Sequence, residues 1–180
     1  MNVFYLDKNP KVCAEMHCDK HVVKMIIEYA QLLSTAHRVL DGTEYIDDSS
    51  GRRIKRWKLP DDREDHIYKA CHVNHPSAIW TRQNNGNYTW LNQLFIALCD
   101  EYSHRYGKEH ETARKLRGNL TRLPTNIKPD FFVDPPQCMP YTCKMLNAIE
   151  GYKRYYIREK ASFAKWTNRQ IPEWFNNASI

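Results

Sequence analysis

Apolar residues between positions 19 and 39 recur at helical spacing. Val22, Met25, Ile26, Tyr29, Leu32, Leu33 and Ala36 fall on one arc of a 3.6-residue helix, which is the face expected to be buried. Beside that arc runs a polar stripe of His17, His21, Lys24, Glu28, Gln31 and Thr35. His21 and Glu28 lie two turns apart and point almost the same way. The pattern starts at Asn9 with Pro10, a favourable N-cap and N1 pair, and Gly42 is the expected stop. Asp19 offers a second helix start, so a break near His17 is expected.

Residues 1–6 form an apolar lead placed under this helix. Positions 43–60 read as an irregular, exposed basic loop, because Asp47-Asp48-Ser49-Ser50-Gly51 is turn chemistry. A short helix is expected over 61–70 and another over 77–83. A third starts at Tyr88, carries Leu91, Leu94, Phe95, Leu98 and Tyr102 on one face, and ends at Gly107. Further helices are expected over 109–119 and 142–163. Between them residues 123–140 hold Pro124, Pro129, Pro135, Pro136 and Pro140 and read as a wrapped, extended loop. Period-2 alternation is almost absent. The chain reads as all-α, a compact single-domain helical bundle (1–180) with long irregular loops and no internal repeat.

Composition adds a partner class. The 180 residues carry a net charge of +6 and 12% aromatic residues, which favours a polyanionic partner such as DNA. No run is apolar or long enough for a membrane span, and the N-terminal pattern is not that of a signal peptide. A cytoplasmic location, no membrane contact and a monomeric state are therefore expected, and Cys13, Cys18, Cys71, Cys99, Cys138 and Cys143 are expected as thiols or metal ligands.

Three chemistries compete. In the first, Glu28 is the acid/base on the flank of the long helix and an amine is the nucleophile. An α-amine, here Met1, ordinarily titrates near ~7.7–8.0 against about 10.4 for a lysine such as Lys24, so more of it is unprotonated at neutral pH. His21 and His75 orient this site, which needs no cofactor. In the second, His17 and His21 at i,i+4 hold a metal for a nucleotide- or base-modifying reaction, with Cys13, Cys18, Asp19, Cys71, His72 and His75 as further donors. In the third, the chain only binds DNA. Arg52, Arg53, Lys55, Arg56 and Lys58 surround Trp57 in the densest basic cluster, and the tail alternates cations and rings through Lys165, Trp166, Arg169 and Trp174. Trp80, with Arg82 beside it, is the alternative to Trp57 as the ring that fills a stack when a base leaves it. The plain reading is that the polar stripe, the tail rings and the basic loop are ordinary helix borders, core and solvated surface.

Asp19-Lys20-His21-Val22-Val23, followed by Glu28, resembles the first-helix motif of the phage-type pyrimidine-dimer DNA glycosylase (endonuclease V) family. The segment from His75 to Tyr106-Gly107 is similar to that family's middle helix and turn. Asn168-Arg169-Gln170-Ile171-Pro172-Glu173-Trp174-Phe175 is similar to its aromatic tail along DNA. Asn74-His75-Pro76 and Lys165-Trp166-Thr167 also resemble proteins of large phages. The resemblance implies an all-helical base-excision glycosylase/AP-lyase for damaged or modified duplex DNA, with Glu28 as the essential carboxylate. In that family the nucleophile is the amine of a small second residue. Asn2 stands there in this chain, and the implied nucleophile becomes the Met1 amine or, in second place, Lys24.

Overall fold

In the computed structural model, which describes residues 1–177, Asn9 caps the first helix as expected. Its Oδ1 accepts from the Lys11 and Val12 amides at 2.9 and 3.4 Å. Helix α1 (Pro10–Met16) stops at His17, and α2 (Asp19–Asp41) starts two residues later. The break lies where Asp19 predicts it, although the capping residue is Cys18 and its side chain makes no cap bond. The apolar arc of α2 is fully buried.

The all-α expectation is corrected by a β-hairpin. Strands β1 (Thr43–Asp47) and β2 (Ile54–Lys58) pair antiparallel, with Thr43 opposite Lys58 and Asp47 opposite Ile54. The turn expected at Asp47–Gly51 is real: the Gly51 amide donates to the Asp48 carbonyl at 2.9 Å, and Gly51 takes φ +75°. What lies on either side of it is ordered strand instead of irregular loop. The alternation signal is weak because the ribbon has no buried face: its residues are exposed or only half-buried. Diagonal charge pairs, Lys55–Glu44 at 2.9 Å and Arg56–Asp47 at 3.7 Å, help hold the two strands.

Helix α3 (Arg63–His66) is shorter than the 61–70 expected, and α4 (Pro76–Gln83) and α5 (Asn85–Tyr106) meet at Asn84. Both α1 and α2 pack on α5, and α2 also packs on α4. The lead runs beneath them: Val3, Tyr5 and Leu6 are buried, and the Phe4 amide donates to the Tyr29 hydroxyl at 3.0 Å. Helix α6 (Glu111–Leu116) is followed by a single 3-10 turn at Asn119–Thr121. The last long helix is also shorter than expected. Asn147 caps α7 (Ala148–Glu159), so 142–147 belongs to a 3-10 turn (Tyr141–Cys143) and the stretch leading to that cap. Helix α8 (Glu173–Asn176) ends the described chain. None of the described helices is long and apolar enough to cross a membrane.

The proline-rich segment wraps the bundle as expected, held by side chains at each step. Asp41 accepts from the Thr125 and Asn126 amides, Asn85 and Asn87 from those of Asp130 and Val133, and Tyr152 donates to the Pro136 carbonyl. At the closest approach, a Cβ on Gly86 would stand 2.5 Å from the Phe132 nitrogen and 2.8 Å from the Asp130 oxygen. Backbone cannot yield there as a flexible side chain can. Gly86→Ala is expected to cost about 1–3 kcal/mol, read as a lower urea midpoint at unchanged slope.

Candidate active site

The loop before α4 and the start of the chain come together around His75 and Ser77. His75 is the N-cap of α4, and its Nδ1 accepts from the Ser77 amide at 3.1 Å. A nitrogen that accepts carries no proton, so neutral His75 has its N–H on Nε2. Burial pushes His75 below the ordinary imidazole value. The Met1 amine and His72 push the same way, while Glu28 opposes them. The α-amine, the His72 imidazole and the Glu28 carboxylate therefore each lie within electrostatic reach of His75. Ser77 pins the chain start from below, its hydroxyl donating to the Met1 carbonyl at 3.4 Å.

Glu28 sits at the edge of the core with 16% of its side chain exposed, and Lys24 pairs with it at 3.1 Å from a far more exposed position. The carboxylate also acts on Cys71, whose thiol is pushed up chiefly by burial. That direction disfavours the thiolate, and hence Cys71 as a nucleophile. The 71–75 loop is made rigid by Arg82, whose Nη1 donates to the Val73 carbonyl at 2.8 Å, and by the His75 amide donating to the His72 carbonyl at 2.8 Å. His72 takes φ +48°, an uncommon conformation for a side chain of its size.

Two clefts flank this loop. One, about 600 Å³, is lined by His75, Cys138, Met139, Pro140, Lys144 and Tyr155. The other, about 610 Å³, lies between Cys71–Asn74 and the hairpin residues Glu44, Lys55, Arg56 and Trp57. Part of the expected basic cluster thus borders the site. Arg52, Arg53 and Lys58 stand exposed on the hairpin, and Trp57 is half-buried with the Lys55 ammonium 6.0 Å from its ring centre.

The other predicted residues lie elsewhere. His17 and His21 belong to the interior. His17 Nδ1 donates to the Cys13 carbonyl at 2.7 Å and its Nε2 contacts the Tyr29 hydroxyl at 3.2 Å, which occupies both nitrogens. His21 stacks on Phe4 at 4.1 Å and bonds the Tyr156 hydroxyl through Nδ1 at 2.5 Å. Among the described residues, no three His, Cys, Asp or Glu side chains converge as a metal-ligand set. Trp80 is buried against Trp90 and Phe132, and its Nε1 donates to the Val133 carbonyl at 2.9 Å. Trp166 is buried with Nε1 on the Met16 carbonyl at 3.0 Å. Arg169 is paired with Glu101 at 2.8 Å and Glu15 at 3.6 Å, and Trp174 packs edge-on to Tyr156. Lys165 is exposed, while its carbonyl accepts from the Asp19 amide at 2.8 Å. The tail is latched to the α1–α2 junction.

Sequence reasoning does not single out Lys144 or Ser77, and it reads Tyr155 only as one ring in the alternating stretch 152–160. Ser77 is a local neighbour whose amide caps onto His75, whereas only long-range folding brings Lys144 and Tyr155 beside it. No family model, curated protein or solved structure matches the chain.

Proposed function

We propose that the protein is a base-excision glycosylase/AP-lyase-type enzyme acting on duplex DNA, with the Met1 amine as nucleophile and Glu28 as acid/base. One observation carries the reading: His75, which lines an open cleft, lies within electrostatic reach of both the Met1 amine and the Glu28 carboxylate, which act on it in opposite directions. On an abasic deoxyribose, the amine adds to the C1′ aldehyde and water leaves, giving a cationic imine. Removal of the C2′ proton by Glu28 then expels the 3′ phosphate, and the carboxylate offsets the imine charge until that step. His75 borders the cleft and carries its proton on Nε2. Lys24, held in its ion pair at the rim, is the alternative amine.

Borohydride trapping on an abasic duplex is expected to give a covalent protein–DNA adduct whose peptide map places the link at Met1. Glu28→Gln is expected to slow strand cleavage roughly 10²–10⁴-fold. A Gly-Ser extension ahead of Met1, which moves the amine, should abolish the adduct. Absence of any adduct from the unmodified chain sinks the reading, and a link mapped to Lys24 reassigns the nucleophile.

A further inference from the structure

The turn that links the proline-rich segment to α7 presents large apolar side chains to water. Tyr141 is 88% exposed and Leu146 is fully exposed. The backbone beneath them is fixed. Cys143 is buried, its amide donates to the Pro140 carbonyl at 2.9 Å, and the Lys144 amide donates to the Tyr141 carbonyl at 3.0 Å. The Gln137 side chain clamps Met145 from both sides: Nε2 donates to its carbonyl at 2.7 Å and Oε1 accepts from its amide at 3.0 Å. Gly151 leaves room for this clamp, since a Cβ there would run into the Gln137 Oε1. Rigid backbone holding apolar tips outward costs solubility unless something covers them.

Cations collar the tips. Lys144 is within the turn, Arg158 Nη1 donates to the Thr142 carbonyl at 3.3 Å, and Arg154 Nη1 lies 3.3 Å from the Met145 sulfur. Apolar tips inside a cationic rim complement a surface that is anionic outside and stacked inside, which describes a nucleic-acid duplex. Lys144 and Pro140 also line the cleft that contains His75, so the turn and His75 border one opening.

We propose that residues 141–146 are a wedge for the base stack. Leu146 and Tyr141 fill the gap left by a displaced or missing base, while Lys144, Arg154 and Arg158 hold the flanking phosphates. The inference rests on the DNA substrate class of the preceding reading and not on its imine step.

The test uses a fluorescein-labelled duplex with a tetrahydrofuran abasic analogue and 2-aminopurine as the neighbouring base. The full chain should bind it and raise the 2-aminopurine fluorescence as that base unstacks. Leu146→Ser and Tyr141→Ser should each weaken binding about tenfold or more and remove the rise. Thermal unfolding should stay unchanged, since both side chains are exposed. Gly151→Ala, which displaces Gln137 without touching the tips, should weaken binding to a smaller extent. Binding within about twofold of the parent chain for both tip variants overturns the proposal, as does an unchanged fluorescence rise or no duplex binding by the parent chain. The analogue has no aldehyde and cannot form an imine. Trapping can therefore fail while the wedge signal stands, and the tip variants can prove silent while trapping stands.

Discussion

Replacing Arg105 with methionine is expected to lower the unfolding free energy by about 3–5 kcal/mol. Its side chain is 0% exposed, and its guanidinium reaches three segments: Nε donates to Glu101 Oε1 at 2.6 Å, Nη1 to Asp19 Oδ1 at 2.8 Å and Nη2 to the Glu15 carbonyl at 3.0 Å. Burial pushes the Glu101 carboxyl up, but hydrogen bonds from Arg169 and Arg105 hold it below the usual carboxylate range. Removing Arg105 leaves that buried carboxylate with Arg169 alone and takes the guanidinium from Asp19. The loss comes mainly from the stranded charge and less from the ion pair itself. Arg105→Met combined with Glu101→Leu should therefore cost less than the two single changes added together. Urea unfolding of the set checks this. A loss below about 1 kcal/mol for Arg105→Met would mean the charges are re-solvated at little cost.

The same network explains why the tail was misplaced from sequence. Asp19 is legible as a helix start, but not as the carboxylate that accepts from Arg105, the Thr167 amide and the Thr167 hydroxyl. Those partners lie far along the chain, and neither propensity nor periodicity encodes them. Arg169 therefore reads as a free cation in sequence and is committed to Glu101 in the fold. Trp80 and Trp166 fail for a related reason: a ring among cations has the same local pattern whether it stacks on a base or packs inward with its N–H on a carbonyl.

The polar stripe of α2 divides along its length. Its period is legible, and so is the near-alignment of His21 with Glu28. What covers each of them is not. Phe4, Tyr156 and Phe163 close over His21, whereas Glu28, two turns on, lies beyond those rings and faces the 71–75 loop. Its electrostatic reach to His75, which the Met1 amine shares, joins positions remote in the sequence. The hairpin was obscured because an exposed two-stranded ribbon has no apolar face to give alternation.

The buried imidazoles carry the other large effect, a loss of stability on mild acidification. Burial lowers His17 and His37 to about 4 and His21 to about 3; Arg105 adds to this at His17, His17 and Lys160 at His21, and Arg63 at His37. The bonding at His37 shows why protonation is resisted. Arg63 Nη1 donates to its Nδ1 at 2.9 Å, and a guanidinium can only donate, so Nδ1 is an acceptor without a proton. Nε2 then donates to the Tyr88 hydroxyl at 2.7 Å, and that hydroxyl donates to the Leu120 carbonyl at 2.9 Å. A second proton would set an imidazolium against a guanidinium. In the unfolded chain the three histidines titrate near ~6.5. As pH falls below that value the unfolded state binds protons that the native state refuses, and unfolding becomes easier. The loss continues down to the native values and reaches roughly 3 kcal/mol for one histidine held near pH 4. The salt-bridged carboxylates Asp41 and Glu101 titrate below their usual range, and their contribution is lost only at lower pH. Urea midpoints are therefore expected to drop steeply between about pH 6.5 and 4.5, before the carboxylate range. His37→Gln should shallow that slope by up to about 1.4 kcal/mol per pH unit, one proton's worth. A midpoint that stays flat from about pH 7 to 5 would show that these imidazoles titrate normally in the native protein.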